Sequence, residues 1–182
     1  MSEEKPYQVK MPNVRLSFPS LFETEWYGGK DTGKYAATFI LDKVEHADVI
    51  KELQAKIKAL LETIKVKSLS ADKICLKDGD TTDNAREEDE GKFKIKASSQ
   101  RRPFVLDRSK SPVTESDEVF YAGCYVNAIV NLWAQNSKDY GKRINCGLEG
   151  VMFSEHGEPF GAPRMDVSEF DAFGDADDDI PF

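Results

Sequence analysis

Hydrophobic and polar positions alternate in several short stretches of this chain and recur at helical spacing in one. Strict alternation runs through Lys92 to Ser98 (KFKIKAS), Tyr125 to Trp133 (YVNAIVNLW) and Arg143 to Glu149 (RINCGLE). A period of two marks a half-buried strand. Val14 to Phe18 predicts a further strand, stopped by Pro19, and Lys34 to Leu41 (KYAATFIL) another. Between these two, residues 20–33 hold Trp26, Tyr27, Gly28, Gly29 and Gly33, a composition that predicts a flexible loop with two aromatics. Val49, Ile50, Leu53, Ile57, Leu60, Leu61 and Ile64 share one helical face. They predict an amphipathic helix over roughly 46–64, preceded by a capping box from Asp42 to Glu45, with His46 in the first turn.

The remaining stretches lack such periods. Residues 1–11 read as a loose arm, and Asn136 to Lys142 as the turn of a hairpin. Residues 99–122 read as irregular, since Pro103 and Pro112 exclude a long central element. Val151 to Phe153 extends the last strand or forms a short one, and His156 to Pro159 reads as a turn. About five strands with one helix between the second and third, and no βαβ repeat, predict a small mainly β Greek-key barrel rather than a parallel α/β sheet.

Charge sharpens the picture because it is unevenly placed. The 182 residues carry 25 Lys+Arg against 33 Asp+Glu, a net charge of −8. Residues 166–182 hold seven acids and no base, and the run 78–91 holds seven acids and one Arg. Taking away these segments of −7 and −6 leaves +5 on the other 151 residues. The acidic total therefore does not exclude a nucleic-acid partner. Both acidic segments are too polar to pack, so 78–91 reads as a solvated loop and 166–182 as a disordered tail. No stretch approaches the ~20 apolar residues of a membrane helix. The N-terminus lacks the apolar core of a secretory signal. Cys75, Cys124 and Cys146 are dispersed, as reduced cytosolic thiols are.

The strand faces then locate candidate chemistry. Alternation sends Phe93, Ile95 and Ala97 inward and Lys92, Lys94, Lys96 and Ser98 outward. It sends Val126, Ala128, Val130 and Leu132 inward and Tyr125, Asn127, Ile129, Asn131 and Trp133 outward. Ile144, Cys146 and Leu148 face inward, opposite Arg143, Asn145, Gly147 and Glu149. Tyr35, Ala37, Phe39 and Leu41 face inward, opposite Lys34, Ala36, Thr38 and Ile40. Arg15 and Ser17 face outward. The outer set is basic and amide-rich with aromatics, which suits single-stranded nucleic acid: cations follow phosphates and rings stack on bases. The candidate DNA-binding residues are Arg15, Trp26, Tyr27, Lys30, Lys34, Lys92, Lys94, Lys96, Arg101, Arg102, Tyr125, Asn127, Trp133, Lys142 and Arg143. Each has a plainer alternative. Alternating lysines also make an ordinary solvated face, Trp133 can pack at a core edge, and Arg101–Arg102 can be an exposed turn.

Catalytic motifs are missing. His46 and His156 are far apart and near no cysteine, and neither a phosphate-binding glycine loop nor a dinucleotide fingerprint occurs. The run 78–91 lacks the spacing of a calcium loop. No cofactor, metal or catalytic residue is expected.

The last six residues, Asp177, Asp178, Asp179, Ile180, Pro181 and Phe182, resemble the C-terminal tip of bacterial single-stranded DNA-binding proteins. In that family the tip docks replication and repair proteins. The body resembles a phage single-stranded DNA-binding family, once catalogued as a domain of unknown function. The resemblance covers most of residues 12–162. It rests on VRLSFPSLF (14–22), Arg102–Pro103, YAGCYVNA (121–128), LWA (132–134), GLEGV (147–151) and GEPFG (157–161). It implies an OB-fold that coats single-stranded DNA in phage replication, recombination or repair. An OB-fold domain is then expected over 1–164 and an acidic docking tail over 165–182. Expected partners are single-stranded DNA and host or phage replication and repair proteins, with no membrane, in the bacterial cytoplasm. Edge strands of an incomplete barrel leave a homodimer open. The tail is also a candidate to fold over the basic face and compete with DNA. A metal-dependent nuclease built on 78–91 and an acidic adaptor that never touches DNA are the alternatives.

Overall fold

The computed structural model describes residues 7–80, 90–139, 141–160, 172 and 173. The elements in chain order are β1 (Gln8–Ser20), β2 (Trp26–Tyr27), β3 (Lys30–Asp31), β4 (Tyr35–Asp42), α1 (Ala47–Thr63), β5 (Leu76–Asp78), β6 (Lys92–Ser99), β7 (Phe104–Leu106), β8 (Tyr125–Ser137) and β9 (Gly141–Glu155). A 3₁₀ turn, Ala71–Lys73, precedes β5, and another, Glu115–Asp117, precedes β8.

Antiparallel pairing joins β6, β4, β1, β8 and β9 in that order, and β6 meets β9 in parallel at Ser98 and Gly147. That last contact closes five strands into the OB-type Greek-key barrel that the sequence predicts. The short β5 and β7 lie at its margins, on β6 and β9. The interior is filled by alternate residues of each strand, among them Leu16, Phe39, Ile95, Leu132 and Ile144. Helix α1 sits between the second and third barrel strands in sequence. It buries Ile50, Leu53, Ile57, Leu60 and Leu61 and packs against β1 and β8.

Several details depart from the periodicity. Residues 8–11 are not a loose arm. They pair with β8 from Gln8–Asn131 to Met11–Ala128, and their alternate residues Val9 and Met11 are buried. Pro19 does not end β1, which runs on to Ser20 through a register shift after Ser17, with Phe18 at φ 45°. The expected outer residues Ala36 and Ile40 are buried. Ile40 lies in register between Arg15 and Lys94. The irregular stretch 99–122 contains β7, and the connector after α1 contains β5. The 136–142 turn is tighter than expected, and β9 runs unbroken to Glu155.

The helix start also differs. His46 is the N-cap, and no side chain caps that position. Asp42 instead accepts the N–H groups of Val44 and Glu45, which fixes the turn before the helix. The buried His46 ring accepts the Asp42 N–H at Nδ1 (3.0 Å). Its Nε2 therefore carries the proton and donates to the carbonyls of Pro12 and Asn13, at 3.0 and 3.1 Å.

Candidate nucleic-acid interface

Cross-strand register places the outward side chains in rows. One row runs Phe104, Gly150, Ile129, Lys10 across β7, β9, β8 and β1. Another runs Ser98, Gly147, Asn131, Gln8 across β6, β9, β8 and β1. Beyond it, Trp133 faces Asn145, and Gln135 faces Arg143. Along β8 the outward residues Asn127, Ile129, Asn131 and Trp133 therefore form one stripe, ~20 Å long at the rise of a strand.

Two grooves lie along this stripe, one lined by Trp133 and the other by Asn127, Ile129 and Asn131. The first, about 610 Å³, is lined by Lys34, Lys73, Lys77, Lys96, Trp133 and Arg143, with Asp72 as its one carboxylate. Trp133 is 44% exposed there. Asn145 donates to Gln135 at 2.9 Å, and Arg143 donates to the Asp72 carbonyl at 3.0 Å, so the groove wall is ordered before any ligand enters. A hydrogen bond from Ser70, with Lys73 and Arg143 nearby, holds the Asp72 carboxyl below its ordinary pKa. Lys96 is paired with Glu25 at 2.9 Å, which ties the 20–34 loop to β6. Such an exposed pair contributes ~0–1 kcal/mol, so a phosphate can replace the carboxylate at small cost.

The second groove, about 820 Å³, is more apolar. Phe104 (76% exposed), Leu106, Ile129 and Met152 are among its apolar lining, and Lys10, Arg101, Arg102 and Lys110 are its cations. Its carboxylate, Glu149, accepts a hydrogen bond from Gln8 at 2.7 Å. Gly150 makes this surface: a Cβ there would come within 3.2 Å of the Phe104 backbone carbonyl and Cβ. Asn127 lines the groove while its Oδ1 accepts the N–H of Asn13, which takes a left-handed turn at a register shift in β1.

The predicted residues thus divide. Lys34, Lys96, Trp133 and Arg143 meet in the first groove, and Arg101, Arg102 and Asn127 in the second. Trp26 and Lys30 stand on a small hairpin, β2–β3, which turns at Gly28 and Gly29 with positive φ. Trp26 is 66% exposed, and the side chain of Tyr27 lies outside the description. This hairpin is the loop between the first two barrel strands, one of the loops that OB-folds use for oligonucleotides.

Other predicted residues are engaged elsewhere. The Arg15 guanidinium donates to the carbonyls of Gly123 and Glu158 and lies 4.1 Å from the Phe160 ring centroid and 5.7 Å from that of Tyr125. Arg15 and Tyr125 therefore pin the segments around 123 and 158–160 to the barrel. Lys92 binds Asp42 at 2.5 Å, at the end of β6 away from the grooves. Lys94 lies between Ile40 and Lys77 in register, and Lys142 opposite Asn136 in the β8–β9 hairpin.

Sequence reasoning missed Lys10, Lys73, Lys77, Lys110 and Phe104. Phe104 was legible in part, as an aromatic directly after Arg101–Arg102–Pro103. The tip 177–182 and residues 81–89 of the acidic run lie outside the described residues. The described start of that run is structured, because Asp78 and Asp80 both bind Lys43, at 2.8 and 2.7 Å.

Known proteins resemble this chain in sequence or fold. The p50 protein of Acyrthosiphon pisum secondary endosymbiont phage 1 is 35% identical over 185 residues, spanning 94% of this chain and 97% of that protein. The single-stranded DNA-binding protein of bacteriophage Enc34, solved in complex with single-stranded DNA, is similar at a TM-score of 0.76 and 31% identity, over 88% of this chain and 97% of that one. The single-stranded DNA-binding protein of bacteriophage T7 shares the fold at a TM-score of 0.56 and 11% identity, over 94% of this chain and 96% of that one. The family model described as the Enterobacter phage Enc34 ssDNA-binding protein matches residues 7–181. The chain therefore belongs to the Enc34 family of phage single-stranded DNA-binding proteins.

Proposed function

We propose that this protein binds single-stranded DNA without strong sequence preference, along the β8 stripe and through both grooves. The observation that carries the reading is the neighbouring placement of two cationic grooves along β8, with Trp133 in one and Phe104 in the other. Lysines and arginines neutralise successive phosphates, while exposed rings accept unstacked bases of any identity. Asn127, Asn131 and Asn145 offer hydrogen bonds without selecting one base. The hairpin bearing Trp26 and Lys30 adds a further ring and cation at the margin. The Enc34 relative, solved with single-stranded DNA, supports the same assignment.

The protein acts by binding, not catalysis, and serves phage DNA replication, recombination or repair by covering exposed single strands. At the described start of the acidic run, Asp78 and Asp80 are both held by Lys43, which supports a structural role for these two carboxylates over a nuclease centre. The OB-fold domain spans 1–164. The acidic tail 165–182 recruits replication and repair proteins through its Asp-Asp-Asp-Ile-Pro-Phe end, with the aromatic and proline filling an apolar pocket on the partner. An electrophoretic mobility shift on oligo-dT tests the binding. A salt-sensitive shift without Mg²⁺-dependent degradation is the expected result, and the absence of any shift refutes it. Deleting 166–182 leaves DNA binding in place and abolishes partner capture. Tighter DNA binding by that truncation would show that the tail also competes for the basic face.

A further inference from the structure

Two of the three cysteines, Cys75 and Cys146, line the first groove, and the DNA-binding reading gives them no role. They arrive there from segments distant in sequence. Ile74 forms a parallel bridge with Ile144, and the Cys75 N–H donates to the Ile144 carbonyl at 3.0 Å. Cys146 lies two residues further along β9. The two thiols line the same groove wall and lie close enough to perturb each other. Cys146 is buried, whereas Cys75 is partly open to the groove. The neighbouring Cys146 thiol, then the backbone N–H groups of Cys75 and Leu76 and the charge of Lys77, draw the Cys75 thiol below its ordinary pKa, and burial pushes the Cys146 thiol well up. The accessible member is thus the better nucleophile, and the enclosed Cys146 is the neighbouring sulfur with which it can close a disulfide. Cys124, buried at the entry to β8 with its thiol raised by burial, belongs to neither groove.

We propose that Cys75 and Cys146 form a peroxide-reactive dithiol site in the wall of the cationic groove, cycling between two thiols and an intramolecular disulfide. The Cys75 thiolate attacks one oxygen of hydrogen peroxide. An S–O bond forms, the O–O bond breaks and hydroxide leaves, giving the sulfenic acid. The Cys146 sulfur then attacks the Cys75 sulfur. The S–S bond forms, the S–O bond breaks, and the departing hydroxide takes up the Cys146 proton as water. In total two thiols are oxidised by two electrons and one peroxide is reduced to two waters. The bond would fasten the Ala71–Lys73 turn, with Lys73 and Lys77 on either side of Cys75, to β9 beside Arg143. It would therefore fix the cationic wall of the groove. Single-stranded DNA lying in that groove would shield Cys75 from oxidant, a consequence that rests on the proposed function.

The test treats the full-length protein with hydrogen peroxide, then counts thiols after denaturation and maps the peptides by mass spectrometry. Two of the three thiols should disappear, with the loss of two hydrogens from the intact mass and a Cys75–Cys146 linked peptide that a dithiol reductant reverses. In Cys146→Ser the sulfenic acid at Cys75 should persist and be captured by dimedone. Retention of all three thiols, a link that includes Cys124 or joins two chains, or overoxidation of Cys75 without a disulfide overturns the proposal. Saturating oligo-dT should slow the reaction. A disulfide that forms equally fast with DNA bound keeps the dithiol site and contradicts only the passage of DNA through this groove.

Discussion

Replacing Trp133 by Leu removes the indole that lines the first groove while keeping apolar bulk on β8. The inward neighbour Leu132 is not touched, so the barrel should fold as before. Trp133 is 44% exposed and stands opposite Asn145, where its free surface faces the groove. A base stacked on an aromatic side chain contributes ~1–3 kcal/mol, so losing it should weaken oligo-dT binding about 5- to 150-fold. The assay is the anisotropy of a dye-labelled oligo-dT titrated at fixed ionic strength, with circular dichroism confirming the fold. Trp26 remains in this variant as the reporter of any contact at the β2–β3 hairpin. An affinity unchanged from the wild type would refute the placement of bases on Trp133.

Replacing Lys34 and Lys96 together by Ala removes two of the five groove cations. The slope of log affinity against log salt should become shallower by about 1.4, and a parallel shift with no change of slope would mean that neither meets phosphate. Phe104→Ala should weaken oligo-dT binding without lowering the melting temperature, since the ring is 76% exposed. Gly123→Ala should destabilise the fold by ~2 kcal/mol or more, read by thermal denaturation. The residue sits at φ 114°, and a Cβ would lie 2.2 Å from the Glu158 carbonyl oxygen. Asp42 has its carboxyl pKa lowered to about 2, chiefly by its bond from Lys92 and then by the Glu45 and Val44 N–H groups. Its folded pKa lies below the unfolded value near ~4, so its contribution is full above that pH and fades as pH falls toward 2. Asp42→Asn should flatten this part of the stability profile in acid denaturation, and an unaltered profile would show that other carboxylates govern it.

Much of the barrel is legible because period two is enforced wherever one face is buried. The alternation in 92–98, 125–133 and 143–149 assigns every inward residue correctly, and the helical spacing over 46–64 places α1 within a residue at each end. Alternation fails where both faces are covered, as at Ala36 and Ile40. It also cannot see elements that owe their existence to a partner strand. Residues 8–11 become a strand because β8 is long enough to receive them, and three-residue β7 persists because Gly150 lets Phe104 lie close to β9. The candidate site was half legible for a related reason. A sequence shows which way Lys96 or Trp133 points, but the parallel contact of Ser98 with Gly147 decides that both border one groove. Lys73 reaches the groove through the bridge of Ile74 to Ile144, and Lys77 through the pairing of β5 with β6. Arg15 points outward as expected, yet two carbonyls and the Phe160 ring claim its guanidinium.

The most direct test of single-strand binding through the cationic grooves is the salt dependence of wild-type affinity for oligo-dT. If the five cations of the first groove each meet a phosphate, log affinity should fall with log salt at a slope of about −3.5, and more steeply if the second groove contributes. Weak binding at low salt, or a slope near zero, would contradict the account.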